Sequence, residues 1–193
     1  FGDSSVPGSS ADALDDTWEW DGQGWTKARP AGASPPRRSG GALWYDPARG
    51  TVVLFGGSGQ FCLGDLWEWD GVRWSALPSP SGDAPLNCGR GASAWDAGRG
   101  KLAYWDGESA ALWFFDGKAW AKDGATGGPQ GRLMYPAMAY DAGRKTLVLY
   151  GGFDDAFATV AGTWEWDGGW HLVKAASAPG ARVYAAAAWD PVR

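Results

Sequence analysis

Apolar residues fall along this chain in short bursts broken by glycine, proline and aspartate, and none has the length of a buried helix. The stretches 51–55, 101–105 and 146–150 are each the length of one strand. A segment rich in small and apolar residues precedes each of them, most plainly at 39–45. The turn between the two, Asp46-Pro47-Ala48-Arg49-Gly50, has the required chemistry: aspartate caps free N–H groups, proline presets φ, and glycine accepts a positive φ. A third strand, 65–69, runs into Asp70-Gly71, a hairpin signal, and a fourth carries Trp74. The pattern predicts an all-β chain of four-stranded antiparallel units.

These units repeat. Trp18-Glu19-Trp20-Asp21-Gly22 recurs as Trp67-Glu68-Trp69-Asp70-Gly71, as Trp113-Phe114-Phe115-Asp116-Gly117 and as Trp164-Glu165-Trp166-Asp167-Gly168, at intervals of 49, 46 and 51 residues. Each copy is followed by another tryptophan: Trp25, Trp74, Trp120 and Trp170. Between copies lies the turn signature, as in Ala94-Trp95-Asp96-Ala97-Gly98-Arg99-Gly100, and two of the strands that follow such turns end in Gly56-Gly57 and Gly151-Gly152. Four strands per unit, a double glycine and later aromatics resemble the bacterial kelch repeat over essentially the whole chain. The resemblance implies a β-propeller of about four kelch-type blades in this chain, with the inner strand of each blade packed through glycine and alanine. The repeats divide a single domain, 1–193, into units 1–37, 38–89, 90–131 and 132–181. Residues 182–193 remain as an inner strand that joins the N-terminal blade or begins a further one. The blade count leaves both a closed four-bladed ring and part of a larger ring open, and it favours a ring completed by more polypeptide, including a second chain.

Composition narrows the function. The formal charge is -5, from 17 Lys+Arg and 22 Asp+Glu, without the clustered basic surface that nucleic acid requires. The longest apolar run, 183–189, is far short of the roughly 20 residues of a membrane-spanning helix. One histidine and two cysteines cannot supply the usual His/Cys metal site, so no metal or other cofactor is expected.

With the four strands of each unit labelled a to d in chain order, their alternating directions put the b–c and d–a loops at one end, and these are the long ones, where recognition is expected. Four arginines, Arg38, Arg90, Arg132 and Arg182, open successive inner strands at that end. They are candidates for gripping an anionic group by their forked guanidinium donors, or for pairing with acids such as Asp16 and Asp65 that precede strand c. The repeating tryptophans are expected in the core. Loop aromatics that do not repeat, Phe61, Tyr135, Phe153 and Phe157, are the candidate ligand contacts. Cys62 and Cys88 lie in loops of the same face and are the candidate disulfide, which would imply a secreted, periplasmic or cell-surface setting. The acidic groups Asp12, Asp15, Asp16 and Asp154, Asp155 match no calcium-loop spacing. Blade three departs from the pattern, with Trp105-Asp106-Gly107 in place of the double glycine and a very short b–c loop.

Kelch propellers include copper-radical oxidases, but the only histidine, His171, follows Trp170 on an outer strand, so that metal site does not carry over. A paired-carboxylate glycosidase site stays open, for example Asp106 with Glu108, and the sequence does not single that pair out. The reading favours a non-catalytic module that binds a glycan or a protein through its long-loop face. The alternatives are a carbohydrate-active enzyme domain and a structural subunit.

Overall fold

The computed structural model describes residues 13–80 and 82–192. It contains fourteen strands. β1 (Trp18–Trp20) and β2 (Trp25–Lys27) form a two-stranded ribbon. β3 (Ala42–Asp46), β4 (Thr51–Ser58), β5 (Cys62–Trp69) and β6 (Trp74–Ala76) form a four-stranded antiparallel sheet in sequence order. β7 (Ala92–Asp96), β8 (Lys101–Asp106), β9 (Ala111–Phe115) and β10 (Trp120–Lys122) form a second. β11 (Ala137–Asp141), β12 (Thr146–Tyr150), β13 (Thr163–Trp166) and β14 (Trp170–Leu172) form a third. The chain divides into two compact units, Phe1–Ser79 with Leu86–Gly89, and Pro80–Pro85 with Arg90–Arg193.

The turns obey the chemistry of their residues. Asp46 Oδ1 accepts from the N–H groups of Ala48 and Arg49 at 2.9 and 3.3 Å, and Asp96 and Asp141 cap their turns in the same way. The c–d hairpins repeat the device: Asp70 Oδ1 accepts from Val72 and Arg73, and Asp116 Oδ1 from Lys118 and Ala119. These caps satisfy backbone donors that tight turns otherwise leave exposed.

In the first unit, Leu54, Trp69 and Trp74 form the buried centre of the β3–β6 sheet. Indole donors tie the β1–β2 ribbon to it: Trp69 Nε1 donates to Glu19 at 2.9 Å and Trp74 Nε1 to Thr17 Oγ1 at 2.9 Å. The first tryptophan repeat departs from expectation. Trp18, Trp20 and Trp25 are 49, 53 and 65% exposed, because their ribbon has two strands among the described residues and offers no second sheet layer to cover the rings.

Cys62 and Cys88 form a disulfide with Cα atoms 4.4 Å apart, linking the first residue of β5 to the segment before β7. Beside it Asn87, the one asparagine of the sequence, is buried. Its carboxamide donates to Phe55 O at 3.0 Å and accepts from Gly89 N at 2.8 Å, and its own carbonyl accepts from Gly57 N. Closing a loop with a sequence separation of 26 residues stabilises by about 3 kcal/mol in the chain-entropy model. Reduction with dithiothreitol is therefore expected to lower the urea midpoint by that amount of free energy, and an unchanged midpoint would show that the bridge adds nothing.

The second unit has a core of its own. Trp105, Leu112, Phe114, Leu133, Met138, Leu147, Leu149 and Trp166 pack together between its two sheets. Of the expected inner segment 182–193, the described residues 182–192 contain no strand. A strand needs a paired neighbour, and among the described residues this segment bonds to backbone through Arg182 O, which accepts from Gly152 N, and Tyr184 N, which donates to Tyr135 O at 3.2 Å.

Candidate functional site

The loops at one end of the second unit gather aromatic and charged side chains. Their convergence begins with backbone. Met134 and Phe153 bridge through both their amides, Tyr135 N donates to Arg90 O at 2.8 Å, and Tyr184 N donates to Tyr135 O. These bonds draw the starts of successive inner segments together and place the rings side by side. Tyr135 and Tyr184 lie 4.4 Å apart between centroids, and Phe153 stands 6.4 Å from each, edge-on to both. Phe157 lies 6.5 Å from Phe153. Phe157 is 66% and Tyr184 70% exposed.

Three of these rings sit on strained backbone. Tyr135, Phe157 and Tyr184 have φ of 55, 56 and 54°, the left-handed region that costs a bulky residue about 1–3 kcal/mol. In the first unit the corresponding places are glycines. Gly40 follows the Ser39–Ser58 bridge as Tyr135 follows the Met134–Phe153 bridge, and Gly89 follows Asn87 as Tyr184 follows Arg182. Gly40 and Gly89 have φ of 64 and 78°, and a Cβ on Gly40 would lie 2.6 Å from the Gly89 Cα. Glycine is required where those two backbones touch. The second unit carries tyrosine at the matching positions, accepts the strain, and turns the phenols outward. Strain of this kind clusters at binding sites.

Charge surrounds the rings. Glu108 bridges two arginines, pairing with Arg90 through Oε1 and with Arg132 through Oε2, the latter at 3.4 Å. Asp155 Oδ1 accepts from Arg132 Nε at 3.1 Å and its Oδ2 from Arg132 N at 3.2 Å. Hydrogen bonding to Glu108 raises the Arg90 guanidinium above its ordinary value, against desolvation. The short turn between β8 and β9 delivers Glu108: Asp106 accepts from Glu108 N at 3.0 Å and from the Ser109 hydroxyl at 2.5 Å, and so fixes the turn. Gly107 permits this turn, since a Cβ there would lie 2.6 Å from Arg90 O and 2.8 Å from Leu133 O. The Asp106 carboxylate is thereby engaged in the turn and is not turned, as a glycosidase partner of Glu108 would be, toward a substrate.

The four sequence-predicted arginines do not share one environment. Arg38 is fully buried. It donates to Asp65 through both terminal nitrogens, at 2.7 and 2.8 Å, and to Gly56 O and Pro36 O. Its guanidinium faces the fold and not solvent. Arg90 and Arg132 join the aromatic cluster. Arg182 is exposed and turns its Nε onto Gly180 O at 3.0 Å. Of the loop aromatics, Tyr135, Phe153 and Phe157 converge, while Phe61 lies in the first unit, 74% exposed. Tyr184 was missed, although it is an unrepeated aromatic two residues after a repeat arginine. His171 Nε2 lies 3.1 Å from Asp167 Oδ1 on the surface. The acidic loops work locally: Asp16 accepts from the Trp18 indole and pairs with Lys27, Asp15 pairs with Arg37, and Asp154 caps the amides of Ala156 and Ala158. Asp12 lies outside the described residues. Among the described residues no group of three or more His, Cys, Asp or Glu side chains is disposed to hold a metal ion, and no helix is long and apolar enough to cross a membrane.

No profile of a known protein family matches the sequence, and no curated protein matches it. Solved structures do resemble it in fold. That of YjhT superimposes with a TM-score of 0.65 at 15% identity over 88% of this chain, which spans 62% of the length of YjhT. A fucose lectin from Kordia zhangzhouensis, solved with methyl-fucoside, gives a TM-score of 0.43 at 15% identity, over 70% of this chain and 98% of the lectin. The second overlap is too low to identify a common architecture.

Proposed function

We propose that this chain is a carbohydrate-recognition module whose ligand lies on the Tyr135, Phe153, Phe157 and Tyr184 rings, and that its sheets are consecutive kelch-type propeller blades. The observation that carries the binding reading is the placement of three exposed or half-exposed rings on left-handed backbone beside a fixed arginine–carboxylate chain. A fold retains such strain where a surface is held ready for a ligand. The negative faces of aromatic rings receive the polarised C–H groups of a pyranose, and the adjoining Arg and Glu side chains can bond its hydroxyls. The Cys62–Cys88 disulfide fits an exported protein. The blade reading rests on the a–b–c–d strand order of each full sheet and on an indole donor repeated between sheets, Trp69 to Glu19 and Trp166 to Asp123 at 3.0 Å.

Saturation-transfer NMR with a panel of methyl pyranosides tests the binding reading. The wild-type protein is expected to transfer magnetisation to the C–H face of at least one sugar. Tyr184→Ala and Phe157→Ala, both at exposed positions, should each weaken that sugar roughly tenfold, as loss of an aromatic anchor does, with Tm unchanged. Binding that survives both substitutions would place the ligand elsewhere.

A further inference from the structure

Charge at the same site points to the class of sugar. We infer that the cluster selects an uncharged, hydroxyl-bearing sugar and rejects the matching carboxylate sugar; this rests on the carbohydrate reading above. Taken from the sequence alone, the arginines suggest capture of an anion. The structure places an internal anion on them first. Glu108 reaches Arg90 with one oxygen and Arg132 with the other, and Asp155 takes the remaining side of Arg132. Two guanidinium groups face two carboxylates, so this cluster of four side chains has no net charge. Adding Arg182, Asp154 and the Asp106 that holds the Glu108 turn gives three arginines against four carboxylates, an excess of one negative charge.

Glu108 cannot easily yield its place. Its amide is held by Asp106, on a turn that spans only residues 107–110 between β8 and β9. An incoming carboxylate would have to share two arginines with a tethered one, and like charges a few ångströms apart repel strongly where water is partly excluded. A hydroxyl meets no such penalty. It donates and accepts at once, so one sugar hydroxyl can accept from a guanidinium N–H while donating to the neighbouring carboxylate oxygen. Two adjacent hydroxyls can do so along the Arg90–Glu108–Arg132–Asp155 chain, with the ring face on the aromatic cluster.

The test uses matched pairs that differ only at one carbon: methyl β-glucoside with methyl β-glucuronide, and methyl β-galactoside with methyl β-galacturonide. Affinities are measured by titration calorimetry at 50 and 500 mM NaCl. The neutral member of a pair should bind at least tenfold more tightly than the acid, with little change between the two salts. Glu108→Gln keeps the size of the side chain and removes its charge, which takes the carboxylate from Arg90 and leaves Arg132 with Asp155, so that two arginines share one carboxylate. This variant should shift the preference toward the acid by tenfold or more, and that gain should fade at high salt. Loss of structure alone would weaken both members together and would not reverse their order. A wild-type preference for the acid, or an order unmoved by Glu108→Gln, would overturn the inference while leaving the carbohydrate reading intact. No binding of any sugar would overturn the reading and the inference together.

Discussion

Replacement of Asp65 by alanine is expected to destabilise the first unit by about 3 kcal/mol, the low end of the cost of leaving a buried charge without its partner, because Arg38 is fully buried while the Asp65 side chain is 35% exposed. Arg38 has no exposed surface, and Asp65 supplies both of its charge-bearing contacts at 2.7 and 2.8 Å. Gly56 O and Pro36 O would remain as neutral acceptors, which do not offset a buried charge. The Trp67 indole, which donates to Asp65 at 2.7 Å, would lose its acceptor as well. Urea unfolding followed by tryptophan fluorescence reads the effect. The double substitution Arg38→Met with Asp65→Leu should recover most of the loss, since an apolar pair of similar volume needs no counter-charge. A single-variant loss no larger than about 0.5 kcal/mol, the range of a surface change, would mean that Arg38 is not enclosed as described.

The same pair sets an acid limit. Burial raises the Asp65 carboxyl, but hydrogen bonds from Arg38 and Trp67 outweigh it and hold the group below its ordinary value of 3.8. A depressed folded-state value adds stability that is present above the unfolded value and is lost as pH falls through the folded one. The difference between wild type and Asp65→Ala should therefore be constant near neutrality and should narrow below pH 3.8.

Trp105→Ala should cost the second unit a comparable amount, about 3–5 kcal/mol. The ring is 1% exposed within the core of the second unit, stacks edge-on against Trp170 at 5.5 Å, and donates its Nε1 to Leu133 O at 2.9 Å. Removing it opens a cavity and leaves a buried carbonyl unpaired. Trp105→Phe separates these two effects: most of the packing remains, and the lost bond should cost about 1–3 kcal/mol. Chemical denaturation provides both values, and equal losses for alanine and phenylalanine would contradict a packing role. Leu133 immediately follows Arg132, so the alanine variant should also loosen the loop that presents the arginine–aromatic cluster.

Trp105 also shows how far local pattern reaches. Its neighbours mark a departure from the double glycine, and that much is visible in the sequence. The consequence is not: Asp106 replaces a glycine by capping the next turn, and the shortened turn carries Glu108 between Arg90 and Arg132. Likewise the four arginines occupy one repeat position. Their repetition alone suggests a ring of equivalent side chains, yet Asp65 buries Arg38 while Glu108 and Asp155 hold Arg90 and Arg132 near the surface.

Strand positions, turn chemistry and the repeat were determined by the sequence itself, because each depends on residues within a few places of one another. An alternating strand, an aspartate that caps the next amides and a glycine that takes positive φ act locally and recur wherever the motif recurs. Even Lys145, with φ of 58°, stands at the turn position of Gly50 and Gly100 and adopts their conformation. Tertiary structure alone decided which repeated residues face solvent, why Trp20 is exposed while Trp69 is buried, and that Tyr184 joins Tyr135 and Phe153. Those outcomes depend on which loop lies against which across 18 to 50 residues of intervening chain. Burial and charge pairing are properties of the assembled neighbours and are not encoded in any one repeat.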